Sequence, residues 1–170
     1  MNAKQIGLIA AVGSVAMLIG ALGFQYIGDL PPCKMCYWQR YAHVAAACVG
    51  ILVWINPKPV VMFLGAIAAF VSAGLGGYHA GVELKYWEGP TTCTSAPIGG
   101  LSTDDLLAQI MNAPVVRCDE IAWDLFGISM AGWNMLISLG LVALWIIAAR
   151  RARARFIPIF WLQVTGWFRC

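Results

Sequence analysis

Charge is scarce in this chain, and its absences are patterned. Of 170 residues, 11% are charged and 61% hydrophobic, whereas a soluble domain is about half apolar and a quarter charged. No Asp, Glu, Lys or Arg occurs from Gln5 to Gly28, Tyr41 to Pro57, Pro59 to Val82 or Leu125 to Ala149. A spanning helix takes roughly 17–25 mostly apolar residues, so three windows suffice and the second sits at the short limit. An ordinary soluble domain is excluded, and isolated strands would leave their backbone unsatisfied in lipid. Internal repeats and low-complexity segments are lacking too. The first window outruns the 7–15 residues of a signal-peptide core, and no convincing small-residue cleavage site follows it. It is expected to be retained.

Acidic charge is missing from one side altogether. Lys4, Lys58, Arg150, Arg151, Arg153, Arg155 and Arg169 share the stretches without an acid. Lys34, Arg40, Lys85 and Arg117 alternate with all the acids: Asp29, Glu83, Glu88, Asp104, Asp105, Asp119, Glu120 and Asp124. Excess Lys and Arg marks the cytoplasmic face, which places both termini inside and two loops outside. The Arg150–Arg155 run is then a topology signal, not a nucleic-acid site.

These readings give an all-α membrane protein: a four-transmembrane-helix bundle over residues 1–155, with a C-terminal tail over 156–170. Helix one is expected over Gln5–Ile27. Helix two should start between Cys33 and Trp38, because Pro31 and Pro32 suit a helix start and not its interior. Helix three should run to about Leu84 and helix four over Ile128–Ala149. In the second outer loop, Ser102, Asp104 and Asp105 before Leu106, Leu107, Ile110 and Met111 read as a short surface helix that Pro114 ends. Tyr26, Trp38, Trp54, Trp87, Trp123 and Trp145 suit an interfacial belt. The tail from Phe156 is apolar, too short to span and interrupted by Pro158 and Gly166, which suggests the inner interface.

What remains is cysteine, six in all. Cys33 and Cys36 lie in the first outer loop, Cys93 and Cys118 in the second, facing a compartment that permits disulfides. Four cysteines allow three pairings, and sequence does not choose among them. Cys48 reads as a packing residue and Cys170 as incidental. Tyr37 stands where a haem-attachment motif needs His. Four thiolates suit structural zinc, but the second pair lacks tight spacing and the compartment oxidises thiols, so no metal is expected. A bond closing the two-residue Cys33–Cys36 gap stabilises little through chain entropy. Such a bond is suited to being broken and remade. Cys36 falls in the first turn of helix two, where the helix dipole favours a thiolate, and Arg40 lies one turn on, on the same face. His79 and Glu83 form an ionisable pair near the membrane boundary, a site candidate by position.

The Cys33-Lys-Met-Cys36 motif with Arg40, four spans, the basic inner tail and a second loop with two cysteines resemble the DsbB family of disulfide bond formation proteins. Cys118-Asp-Glu-Ile-Ala-Trp123-Asp-Leu-Phe-Gly127 is similar to that family, and Tyr78-His79 to Glu83 with Trp87-Glu-Gly-Pro90 resembles a subset of it. The resemblance implies a bacterial inner-membrane enzyme that reoxidises a periplasmic DsbA-like dithiol protein, with a membrane quinone (ubiquinone or menaquinone) as acceptor. It implies that the partner attacks Cys93 of a Cys93–Cys118 disulfide, that Cys118 then attacks Cys33, and that Cys36 leaves toward the quinone beside Arg40. His79 is implied to line the quinone pocket or manage protons. Two other readings fit the residues: a conduit exporting reducing equivalents, for which Cys48 and Cys170 are a poor set, and a non-enzymatic tetraspan scaffold with two structural disulfides.

Overall fold

The computed structural model describes residues 1–90, 102 and 117–166, with side chains to residue 154. Four long helices dominate: α1 (Ala3–Tyr26), α2 (Lys34–Ile55), α3 (Pro59–Glu83) and α4 (Met130–Gly166). The start of each is written in its sequence. Asn2 and Gln5 form a reciprocal capping box at α1. At α2 the cap is Cys33, whose sulfur accepts the Cys36 amide at 3.3 Å. Pro59 occupies the first turn of α3, where its missing N–H costs nothing.

The helices form a closed ring. α1 packs on α2, α2 on α3, α3 most extensively on α4, and α4 back on α1, while α1 and α3 scarcely touch across the diagonal. Lipid supplies no hydrophobic drive for helix association, so close contact between small residues matters more. Gly50 of α2 lies directly against Ala11 of α1. Gly65 of α3 and Gly7 of α1 flank the indole of Trp145, which is fully buried. Trp145 is therefore a core residue and not part of an interfacial belt. Its ring fills the space that two glycines leave, whereas Tyr26 and Trp54 do lie exposed. Cys48 departs from expectation in the opposite sense: it sits on the exposed outer side of α2, off the packing seam.

Three helices are long and apolar enough to cross a membrane: α1, α3 and the Met130–Ala154 part of α4. The fourth, α2, carries Lys34, Gln39, Arg40 and His43 in its outer half, which lowers its hydropathy without shortening it. α4 continues beyond the expected Ala149. Arg and Ala are strong helix formers, and the helix runs on through Pro158 to Gly166, so the tail from Phe156 begins inside it.

A two-stranded hairpin, β1 (Asp124–Leu125) and β2 (Ile128–Ser129), precedes α4. Phe126 and Gly127 both have positive φ, 55° and 74°, the conformation of a tight two-residue turn. Glycine takes it freely and phenylalanine does not. Just before the hairpin, Trp123 packs in a tilted arrangement against Phe24 of α1, with centroids 4.9 Å apart. The expected surface helix lies outside the described residues, Ser102 excepted, as do Cys93 and Cys170.

Replacing Gly65 with Leu should drive side-chain atoms into the Trp145 ring. Overpacking of this kind costs about 1–3 kcal/mol, read as a lowered unfolding temperature in detergent. An unchanged transition would remove the Gly65–Trp145 contact from the account of bundle packing.

Candidate functional site

The outer end of the bundle holds a cavity of about 430 Å³, lined by all four helices and by the segment before α4. This lies within the usual range of small-molecule pockets. Its α2 wall carries Cys33, Cys36, Gln39, Arg40 and His43, and its α3 wall His79 and Glu83. Cys33 and His43 are ten residues apart, so the polar wall descends about 15 Å along the helix.

At the top, Cys33 Sγ and Cys36 Sγ are 2.9 Å apart. Cys33 is buried and Cys36 half-buried. The hydrogen bond with Cys36 and, next to it, burial push the Cys33 thiol up from its ordinary value. In the dithiol pair Cys33 is thus the sulfur that keeps its proton. Cys118, 85 residues from Cys33 in sequence, comes to the same place: the ligand atoms of Cys33, His79 and Cys118 all lie within 4.8 Å of one another.

His79 Nε2 is 3.6 Å from Cys33 Sγ and 3.7 Å from Glu83 Oε1. The two ionisable side chains are 5% and 6% exposed, inside the protein and not at a hydrated rim. Gln39 determines which ring nitrogen carries the proton. Its Nε2 donates to the Met35 carbonyl at 3.3 Å and also lies 3.0 Å from His79 Nδ1. Nδ1 therefore accepts and Nε2 carries the hydrogen, aimed at sulfur and carboxyl. That tautomer does not suit a metal. A ligating Nε2 must be bare, with Nδ1–H donated to an acceptor, and here Nδ1 meets an amide NH₂. The Cys33–His79–Cys118 cluster has metal-like spacing with the wrong second partner.

Arg40 is brought to the cavity as well, one turn below Cys36. Its guanidinium donates to Gln25 Oε1 at 2.5 Å and to the Ala21 carbonyl at 3.2 Å, both on α1. A partly buried cation in a membrane bundle needs such partners. Two of its five N–H groups are so engaged, which fixes the guanidinium and leaves donors for a ligand. Sequence reasoning passed over Gln25, Gln39, His43 and Asn134. For Gln25, His43 and Asn134 the signal was polarity within an apolar window, and for Gln39 a position between Cys36 and Arg40; single uncharged polar residues did not register beside paired cysteines.

Outside the cavity, Asp119 clamps the Cys118 segment. It accepts from Lys85 Nζ at 2.6 Å and from Arg117 Nη2 at 2.8 Å. The Arg117 hydrogen bonds, and then that of Lys85, hold its carboxyl well below the usual carboxylate range. A depressed carboxyl contributes stability above its unfolded value of about 3.9, and that contribution is lost as pH falls through the folded one. The clamp is therefore intact at any neutral or mildly acidic pH.

Asp119→Ala should loosen Cys118. In a Cys36→Ser, Cys93→Ser background, formation of a Cys33–Cys118 disulfide should slow about two- to fivefold, the scale of exposed ion pairs. In 1 M salt, where the screening length is about 3 Å, the difference should shrink. Non-reducing gels follow the bond, and equal rates at low salt would show that the clamp does not position Cys118.

Comparison with known proteins agrees with the geometry. A family model, disulfide bond formation protein DsbB, matches residues 3–148. The disulfide bond formation protein B of Shewanella sp. (strain MR-4) is 33% identical over 144 residues, covering 81% of this chain and 82% of that protein. That of Polaromonas naphthalenivorans (strain CJ2) is 32% identical over 162 residues, covering 89% and 95%. That of Marinobacter nauticus is 26% identical over 166 residues, covering 92% and 95%. A match over nearly the whole chain, with Cys118 brought beside Cys33 from a separate segment, shows that this chain belongs to the DsbB family of disulfide bond formation proteins.

Proposed function

We propose that this protein is a membrane thiol–disulfide oxidoreductase that reoxidises a DsbA-like dithiol protein and delivers the electrons to a membrane quinone. The observation that carries this reading is the approach of Cys118 to Cys33 above the cavity. Exchange needs an attacking thiolate in reach of a disulfide whose other sulfur leaves easily. Cys118 and the Cys33–Cys36 pair have that relation.

The exchanges balance as follows. A partner thiolate attacks Cys93 of the Cys93–Cys118 disulfide and releases Cys118. Cys118 attacks Cys33, forming Cys33–Cys118 and releasing Cys36. The second partner thiolate attacks its own sulfur in the mixed disulfide, so the partner departs oxidised and Cys93 is freed. Cys93 then attacks Cys118, restoring the loop disulfide and leaving Cys33 and Cys36 reduced. Two electrons and two protons have passed from partner to chain. A bound quinone supplies the two-electron, two-proton sink that returns Cys33–Cys36 to the disulfide.

The residues present fit such a group. The cavity is lined largely by apolar side chains, suiting a flat ring, and Arg40 offers fixed donors to a ring oxygen one turn from Cys36. Arg40 also sets a permanent positive charge near the departing Cys36 sulfur. His79, with its hydrogen on Nε2, directs a hydrogen-bond donor toward the Cys33 sulfur, and Glu83 stands next to it. The positive-inside pattern supports a topology with the cysteine loops in the periplasm, both termini in the cytoplasm and α2 as a fourth span. Asp119 and its cations hold Cys118 docked through exposed ion pairs that are weak enough to release.

Purified protein with reduced DsbA-like partner and a short-chain quinone should form quinol in step with partner oxidation. Cys36→Ala should abolish turnover while the protein stays folded. Arg40→Ala should raise the quinone KM about tenfold or more, in line with loss of a charge-assisted hydrogen bond, with little change in partner KM. A folded wild type that turns over neither ubiquinone- nor menaquinone-type acceptors would favour the scaffold reading.

A further inference from the structure

Below the sulfurs, a second polar group occupies the cavity wall. His43 of α2 is 3% exposed and lies nine residues into the helix, at a depth where an ionisable side chain is costly. Its Nε2 is 2.9 Å from Asn134 Oδ1 on α4, with Ser138 Oγ at 3.4 Å. Asn134 Nδ2 lies 3.2 Å from both the backbone carbonyl and the hydroxyl of Ser72 on α3. One network thus ties three helices.

Its hydrogen-bond polarity is determined. A backbone carbonyl only accepts, so the Asn134 atom facing Ser72 is the amide nitrogen, and the atom facing His43 is the oxygen. His43 Nε2 must then donate, and the neutral ring keeps its bare lone pair on Nδ1. Among the described residues Nδ1 has no hydrogen-bond partner. A buried acceptor left unsatisfied is destabilising. Both His43 and Asn134 line the cavity. A packing network alone does not require histidine here; a cavity ligand that donates a hydrogen bond does.

We propose that His43 is a ligand-contact residue of the cavity, which accepts a hydroxyl of a reduced, quinol-type headgroup and so favours the reduced over the oxidised ring. Arg40 and His43 are three residues apart, on one face of α2 and about 4.5 Å apart along its axis. A para-substituted ring carries its two oxygens at opposite ends, so Arg40 would hold one and His43 the other. Arg40 offers only donors, which a carbonyl and a hydroxyl oxygen both accept. His43 Nδ1 offers only an acceptor, which a hydroxyl satisfies and a carbonyl repels. The pair thus reads the oxidation state of the ring at its deeper oxygen. This rests on the quinone-linked reading above.

The test is equilibrium binding of a short-chain quinone and, anaerobically, its quinol to full-length protein, followed by quenching of tryptophan fluorescence. His43→Leu should weaken quinol binding about tenfold, with less than threefold effect on the quinone. The double variant His43→Leu, Asn134→Leu removes both partners of the buried bond and guards against misfolding; it should show the same selective loss. In wild type, quinol and not quinone should shift the ¹⁵N resonance of His43 Nδ1. If the wild type binds both forms and the quinol-to-quinone affinity ratio is unchanged in both variants, His43 serves packing alone and the proposal fails. If the wild type binds neither form, the quinone-linked reading fails with it.

Discussion

The hydrogen bond from the Cys36 amide to the Cys33 sulfur fixes where α2 begins, and the geometry of the cavity follows from that point. An N-cap normally presents oxygen to the first free amides of a helix. Here sulfur does it, after two prolines that keep the preceding chain extended. Capping commits Cys33 to the helix start, and helical pitch then places Cys36, Gln39, Arg40 and His43 down a single wall. A change in the start of α2 by one residue would rotate that wall by about 100° and scatter the set.

The opposite walls depend on how closely helices approach. Gly76 of α3 admits Asn134 and Met135 of α4 at a distance that a methyl group would block. That approach brings the Asn134 amide to Ser72 and, across the bundle, to His43. Near the other end of the bundle, Gly7 and Gly65 make room for Trp145. Small residues on α3 thus serve two purposes: at one end they seat a large ring in the core, and at the other they let polar groups find partners that lipid cannot supply.

Much of this was legible in the sequence because it depends on local rules. Charge-free windows gave the long helices, and Pro31-Pro32 gave the interval from Cys33 to Trp38 in which α2 begins, at Lys34. Paired cysteines and Arg40 marked the chemistry. What escaped depended on tertiary context. Trp145 looks like an interfacial residue until Gly65 and Gly7 are seen beneath it, and Cys48 looks like a core residue until the face of α2 on which it lies is known. The hairpin turn at Phe126-Gly127 was hidden because phenylalanine seldom adopts positive φ. The directions of the His79 and His43 tautomers follow from amides on other turns or helices, and no spacing rule encodes them. The assignment of Cys93 lies outside the described residues and rests on sequence alone.

The ion pairs around Asp119 have a consequence for time as well as place. Lys85 and Arg117 are largely solvent-exposed, 62% and 52%, and the Lys85 backbone is held at positive φ beside the end of α3. Contacts of this kind form and break quickly compared with motions of the bundle. The helices carry the sulfur pair of the first segment, while Cys118 is held beside it by solvent-exposed ion pairs. Buried contacts and exposed ones thus position the two partners of a single sulfur encounter.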